Sequence, residues 1–435
     1  MQIQHDQSDD SSMDKPPVIK KPGVKKTLGD LKSMSIRGKS VLSVARDQML
    51  APDSVKTAPL FTIPTISAVT GVHRSTITKA IQKRAVSNEG DTLPRGRIET
   101  TKGTYVPFDS LQPDENLLGN ERRYFSCDEA AKIIAHFAPH LVKPTNAKGA
   151  VVVVCNYKGG VAKTVSSVSL AQALASRGKK VLCFDLDPQG SMTNLFGFLH
   201  VKDVRPEDTA LGLFLGQRSS LRACVRNTYW PNIDLIPASS DLQGSEYAFR
   251  QLLQREGLDS VGIVGTALDE LMGGYDVCII DTPPSLNSLT NSALFAADGV
   301  IMPIPASNLE VASAVQFWDM FCMICDKMPG VTNESEVFSF LKVILPKMEN
   351  TVSCRNVKAW IYDIYGDDVS IHEIPKSTSV ARASDSFGTV FDVHQGSKKL
   401  VEAVQPVKTA YENIALEIEA ELQAIWQKKT TPQAK

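Results

Sequence analysis

Lys158-Gly159-Gly160-Val161-Ala162-Lys163-Thr164 follows an unbroken apolar run, Ala150 to Cys155, and leads into a helical pattern that continues to Ser176. Strand, glycine-rich turn and helix in that order make a phosphate cradle. The glycines let backbone N–H groups turn inward, and the helix N-terminus adds partial positive charge. Lys163 is placed to reach terminal phosphates, and the Thr164 hydroxyl to ligate Mg²⁺. The strict pattern G-x-x-x-x-G-K-[ST] is not met, because Tyr157 and Ala162 stand at its two glycine positions. The loop carries instead a second lysine, Lys158.

Outward from the loop, short β-rich runs alternate with helical patterns: Lys179 to Phe184, Asn232 to Ile236, Val277 to Ile280, Gly299 to Ile304 and Phe338 to Leu345. Continuous apolar strands separated by helices predict an α/β fold with a mostly parallel sheet covered by helices on both faces. Two acidic segments follow such strands, Asp185-Leu186-Asp187-Pro188-Gln189-Gly190 and Asp281-Thr282-Pro283-Pro284. The carboxyl ends of strands are where open α/β sheets put ligand chemistry. A lone aspartate there is as readily a helix cap. The loop with both acidic segments, in this order, points to a nucleotide site.

Composition bounds the rest. Hydrophobic residues make up 43% of the 435, and the net charge is −1, so a basic surface must be local. No apolar run reaches the roughly 18 residues that span a bilayer. Eight cysteines are too sparse for a disulfide framework, and Cys155, Cys183 and Cys278 sit in apolar runs. Cys322 and Cys325 have C-x-x-C spacing without a second pair, which favours core packing over a metal site. The chain reads as cytoplasmic.

Residues 1 to about 35 are poor in apolar anchors and are expected to be a flexible tail, with a short, possible dimerisation helix from Ser40 to Leu50. Lys20 to Arg46 holds eight Lys or Arg against one acid, suited to nucleic acid or to a solvated tail. From 51 to 147 the pattern changes. Ile63 to Val69 and Ser75 to Ile81 are two short helical patterns around Gly71, the sequence form of a helix-turn-helix. Arg95 to Glu99 and Gly103 to Val106 read as a hairpin wing, and Ser126 with Glu129 as a capping box. Pro139 to Lys148 reads as a polar linker before the 148–435 domain. Arg74, Ser75, Thr76 and Lys79 at the second helix, with Arg97 on the wing, are the candidate DNA contacts.

K-G-G-V-x-K-T, D-L-D-P-Q-G and D-T-P-P-S-L together resemble the deviant Walker-A P-loop NTPases, and within them the ParA partition ATPases. The resemblance covers about residues 148 to 430, and the small winged helix-turn-helix domain before it matches the longer ParA subgroup. It implies ATP and Mg²⁺ as cofactors, held by Lys158, Gly159, Gly160, Val161, Ala162, Lys163, Thr164 and Val165. It also implies a homodimer that sandwiches two ATP molecules, with Lys158 reaching the partner's site. Lys158, Lys163 and Asp187 are then the candidate catalytic residues, Asp187 positioning or activating water. Thr164 and Asp281 are the metal candidates, the latter acting mainly through water. Pro375 and Lys376 match a segment that walls the adenine. Ala162 departs from a frequent glycine, and Ser307 stands where many relatives have Glu.

The implied function is ATP-dependent partition of DNA, with weak intrinsic hydrolysis stimulated by a ParB-like centromere-binding partner. Nonspecific DNA would be held by the ATPase domain, with Arg355 and Arg382 as candidates, and operator DNA by the N-terminal domain as an autorepressor. This places the protein on the nucleoid. A nucleotide-regulated repressor and an orphan ATPase that positions another cargo are the alternatives. The C-terminal pattern Tyr411, Ile414, Ile418, Leu422, Ile425, Trp426 has Glu412, Glu417, Glu419 and Glu421 on its polar side. Membrane-surface helices want Lys and Arg there, so this helix is expected to pack on the ATPase domain, with no membrane partner.

Overall fold

A computed structural model describes residues 27–49, 56–82, 93–99, 104–110, 122–256, 261–328, 330–378, 380, 388–393 and 398–430. The chain divides into two units, residues 1–42 and residues 43–435. In the first, the described residues are Thr27 and the start of helix α1 (Leu28–Met49), so helix begins seven residues before position 35, the expected end of the flexible tail. Thr27 and Asp30 explain the early start. Thr27 N donates to the Asp30 carboxylate at 2.8 Å, and Asp30 N donates to Thr27 Oγ1 at 3.1 Å. This reciprocal cap was concealed by the low apolar content around it. Leu28, Leu31, Met34, Ile36 and Val41 lie exposed along the helix.

In the second unit, β1 (Phe61–Thr62) leads into α2 (Ile63–Thr70) and α3 (Arg74–Gln82). Gly71, at φ 69°, ends α2 and turns the chain in a left-handed conformation that only glycine adopts freely. The expected hairpin is β2 (Arg97–Glu99) against β3 (Tyr105–Pro107). It is widened by β4 (Arg123–Phe125) and β1 into an antiparallel sheet of order β1-β4-β2-β3. Strands β1 and β4, of two and three residues, were not expected, because so short a run carries little alternation. The capping box of Ser126 and Glu129 opens α4 (Cys127–Phe137), and Ile66, Ile77, Ile81, Phe125 and Ile133 form the core here. The Pro139–Lys148 stretch is not a free linker. Leu141 and Ala147 are buried, and the Leu141 carbonyl accepts from Lys179 Nζ.

The α/β part runs β5 (Ala150–Val154), α5 (Lys163–Ser176), β6 (Val181–Asp185), α6 (Ser191–Leu195), α7 (Leu211–Phe214), β7 (Arg226–Asn227) and β8 (Ile233–Ile236). It continues through α8 (Leu242–Glu256), α9 (Ile263–Asp269), β9 (Val277–Asp281), α10 (Ser288–Ala296), β10 (Gly299–Pro303), α11 (Asn308–Cys325), β11 (Phe340–Ile344) and α12 (Val352–Tyr365). A C-terminal helix spans Lys398–Thr430. The sheet has seven strands in the order β11-β10-β5-β9-β6-β8-β7. Every pairing is parallel except that of the short edge strand β7 with β8. Each predicted run became a strand because both sheet faces are buried, which continuous Val, Ile and Leu satisfy.

One face packs against α8, α10, α11 and α12 through Phe249, Leu294, Phe317 and Ile361. The other packs against α5 and the C-terminal helix through Leu170, Leu174, Ile414, Ile418, Leu422 and Trp426. Helix α5 is buried nearly all round, which its Ser and Ala residues allow by letting neighbours approach closely. The expected docking of the C-terminal helix is what the structure has, with one correction. Glu419 is 3% exposed and lies in an ion-paired cluster with Arg177 and, at 2.6 Å, Lys179; it is not part of a solvated polar side. No helix among the described residues is long and apolar enough to cross a membrane.

Candidate nucleotide site

Strand order builds the site. Strand β9 lies between β5 and β6, with Val154 beside Asp281 and Asp185 beside Asp281 in parallel register. The glycine-rich loop leaves β5, the Asp185–Gly190 segment leaves β6, and Asp281 ends β9. Three segments far apart in sequence therefore meet at one sheet edge, the carboxyl one.

The loop is held by its own residues. Asn156 Nδ2 donates to the Pro303 carbonyl at 2.8 Å, while its Oδ1 accepts from Lys158 N at 3.1 Å. Gly160 has φ 77°, and Ala162 caps α5 at φ 71°. Here the expectation about Ala162 becomes concrete: an alanine occupies a left-handed position where glycine costs nothing. Lys163 is 6% exposed, and its Nζ reaches back to the Lys158 carbonyl at 2.9 Å. Burial lowers its pKa, and the charges of Asp281 and Asp187 oppose that.

Asp281 is fully buried. Its Oδ1 accepts from Ser167 Oγ at 3.0 Å, while Oδ2 has no partner among the described groups. Burial pushes its carboxyl up to about 7, against the pull of the Thr164 and Ser167 hydroxyls and of Lys163. Asp185 is pushed well above the carboxylate range by burial and by Asp281. Two buried acids side by side resist ionising together. Asp185 also shapes its neighbours. Its Oδ2 accepts from Thr193 N and Oγ1 at 2.8 and 2.7 Å, and its Oδ1 from Asp187 N at 3.2 Å. The Asp187 carboxylate in turn accepts from Gln189 N at 2.9 Å.

An orphaned carboxylate oxygen beside the Thr164 hydroxyl is a hard-oxygen donor set, which fits a divalent cation such as Mg²⁺. The loop amides at the N-terminus of α5, together with Lys163, fit phosphate. Pro375 pairs with Met348 in a short bridge, and the Lys376 ammonium meets Glu349 at 2.7 Å. Lys158 Nζ forms an ion pair with Glu310 Oε1 at 2.9 Å. Glu310 lies on α11, whose N-cap is Ser307, with no side-chain cap bond. Glu310 stands in the first turn of that helix. Asn156, Ser167, Asp185 and Glu310 were not singled out from the sequence as site residues. Asp185 had a signal in its position at a strand end; Glu310 had none.

The DNA candidates divide. Arg74, Ser75, Thr76 and Lys79 are exposed on α3, opposite the buried Ile77 and Ile81. Arg97, on the wing, is half-buried and paired with Glu129 at 2.9 Å. Arg355 is exposed and donates to Asn350 at 2.7 Å. Arg382 lies outside the described residues.

A parallel α/β sheet with this loop at its carboxyl edge defines a P-loop NTPase. Residues 149–335 match the AAA domain family. The chain is 30% identical over 243 residues to the chromosome partitioning protein ParA of Caulobacter vibrioides, covering 55% of this chain and 84% of that one. It is 33% identical over 254 residues to a putative replication protein A of Rhizobium rhizogenes, spanning 62% of that protein's length. For SopA of Escherichia coli the identity is 30%, and the share of its length is 63%. A solved structure described as a partition protein aligns over 90% of this chain and 98% of its own, with a TM-score of 0.59 at 17% identity, a likeness of fold. The chain belongs to the ParA family of partition ATPases.

Proposed function

We propose that this protein is an ATP-hydrolysing switch for DNA partition, acting in the cytoplasm on the nucleoid. The observation that carries this is the meeting of Lys158, Lys163, Asp187 and Asp281 at three adjacent strand ends. Gly159 to Val165 hold the phosphates, Lys163 compensates their charge, and Pro375 with Lys376 walls the base. Thr164 and, through water, Asp281 hold Mg²⁺, which supplies neutralisation of charge on the phosphates. Asp187 orients the attacking water. Lys158 reaches across and completes the partner's site, so that the γ-phosphate joins two copies. Moving a two-state equilibrium from 1:99 to 99:1 takes about 5.5 kcal/mol of differential binding, within reach of a nucleotide-dependent interface.

Hydrolysis is weak alone and is stimulated by a ParB-like centromere-binding partner. The ATP-bound dimer holds nonspecific DNA, with Arg355 and Arg382 as contacts, and α2 with α3 binds the protein's own operator. The test is hydrolysis by the purified chain with DNA and the partner present; absence of ATP turnover there removes the proposal.

The exposed Arg74, Ser75, Thr76 and Lys79 also favour a second reading, a repressor for which nucleotide is a corepressor. A footprint on the upstream region that changes between ADP and ATP supports it, while an unchanging one counts against it.

A further inference from the structure

Among the described residues, the non-glycines with positive φ are Ala162, at 71°, and Lys347, at 58°. The first lies in the phosphate loop, and the second reaches it: Lys347 Nζ donates to the Gly160 carbonyl at 2.6 Å. A left-handed backbone is disfavoured for an L-residue with a side chain, and strain of this kind concentrates where geometry serves function.

We propose that Lys347 is a positioning residue for the phosphate loop. A trans peptide points its C=O and its N–H in opposite directions. Pulling the Gly160 carbonyl outward therefore aims the Val161 N–H into the cradle. Lys163 Nζ holds a second carbonyl of the same loop, that of Lys158, at 2.9 Å. The loop is thus braced by one ammonium from α5 and one from the turn after β11.

That turn is itself fixed. Met348 N donates to the Ile374 carbonyl, and the Met348 carbonyl accepts from Lys376 N, each at 2.9 Å. One short turn consequently joins the segment proposed to wall the base to the loop proposed to hold the phosphates.

The inference rests on the nucleotide site of the preceding subsection, and the experiment separates the two. Full-length wild type, Lys347→Gly, Lys347→Met and Lys347→Arg are compared for affinity toward a fluorescent ATP analogue with Mg²⁺, and for melting temperature without nucleotide. Glycine accepts the same φ without strain, methionine keeps the stem without charge, and arginine keeps a donor. Loss of one charged hydrogen bond weakens binding about tenfold in the Gly and Met variants. The Arg variant stays close to wild type, and the Gly variant melts no lower than wild type. Wild-type affinity in the Gly and Met variants overturns the assignment, as does a loss that follows melting temperature and is not rescued by arginine. Wild type that fails to bind the analogue removes the nucleotide site itself and this inference with it.

Discussion

Lys158 Nζ sits 2.9 Å from Glu310 Oε1 of the same chain, with side chains 38% and 16% exposed. The lysine proposed to cross into the partner's site is therefore held at home by an acid on α11, and the pair must open before the crossing. A partly exposed pair of this kind contributes about 0.5–1 kcal/mol. Glu310→Gln is expected to lower the ATP concentration at which dimers form by roughly two- to fivefold, measured by sedimentation velocity. A higher requirement in the variant contradicts the latch.

Lys163 and Asp187 separate binding from turnover. Lys163→Ala is expected to weaken ATP binding by about 100-fold or more, since a buried charged donor is lost. Asp187→Ala is expected to bind ATP and dimerise while hydrolysis stops. Equal turnover in Asp187→Ala and wild type removes that assignment.

Ala162 occupies a conformation that suits glycine. Ala162→Gly should stabilise the chain by about 1 kcal/mol, the left-handed strain less the added entropy of the unfolded glycine. Urea unfolding measures it, and a destabilised variant contradicts the backbone argument.

Lys56 Nζ lies 2.9 Å from Asp392 Oδ2, both side chains wholly buried, and also donates to the Leu195 carbonyl. Removing one partner of a buried pair costs about 3–5 kcal/mol, so Lys56→Met should unfold at markedly lower denaturant. Truncation of the first 120 residues would strip the same partner and injure the ATPase domain. Arg74→Ala with Lys79→Ala on exposed α3 is the cleaner way to remove operator binding while sparing ATP-dependent binding of bulk DNA. Loss of both activities in that double variant would tie them to one surface.

Cys322 is exposed, and the other cysteines are buried. Burial pushes the Cys155 thiol up to about 12, so near pH 8 it holds its proton and stays unreactive. A native thiol titration should show one fast group, Cys322, and all eight only in denaturant. Fast labelling that survives Cys322→Ser contradicts this packing.

The strands, the loop and the acids were legible because a doubly covered parallel sheet writes each strand as one apolar run and puts its chemistry at the run's end. The C-terminal helix was legible by spacing, yet Glu419 was not, because its burial depends on Arg177 and Lys179 more than 200 residues away. The same holds for Glu310 at Lys158, and for Lys347, which is 187 residues from Gly160. These contacts depend on strand order, and local pattern does not encode it. The Thr27–Asp30 cap was local and readable, but polar surroundings masked it.

The most direct test is a crystal structure of the full chain with a nonhydrolysable ATP analogue and Mg²⁺. The expected result is a two-fold dimer in which Lys158 has left Glu310 and its ammonium lies on the partner's phosphates, with Lys163 on its own. Lys158 still paired with Glu310, or on the phosphates of its own chain, would contradict the two-copy switch.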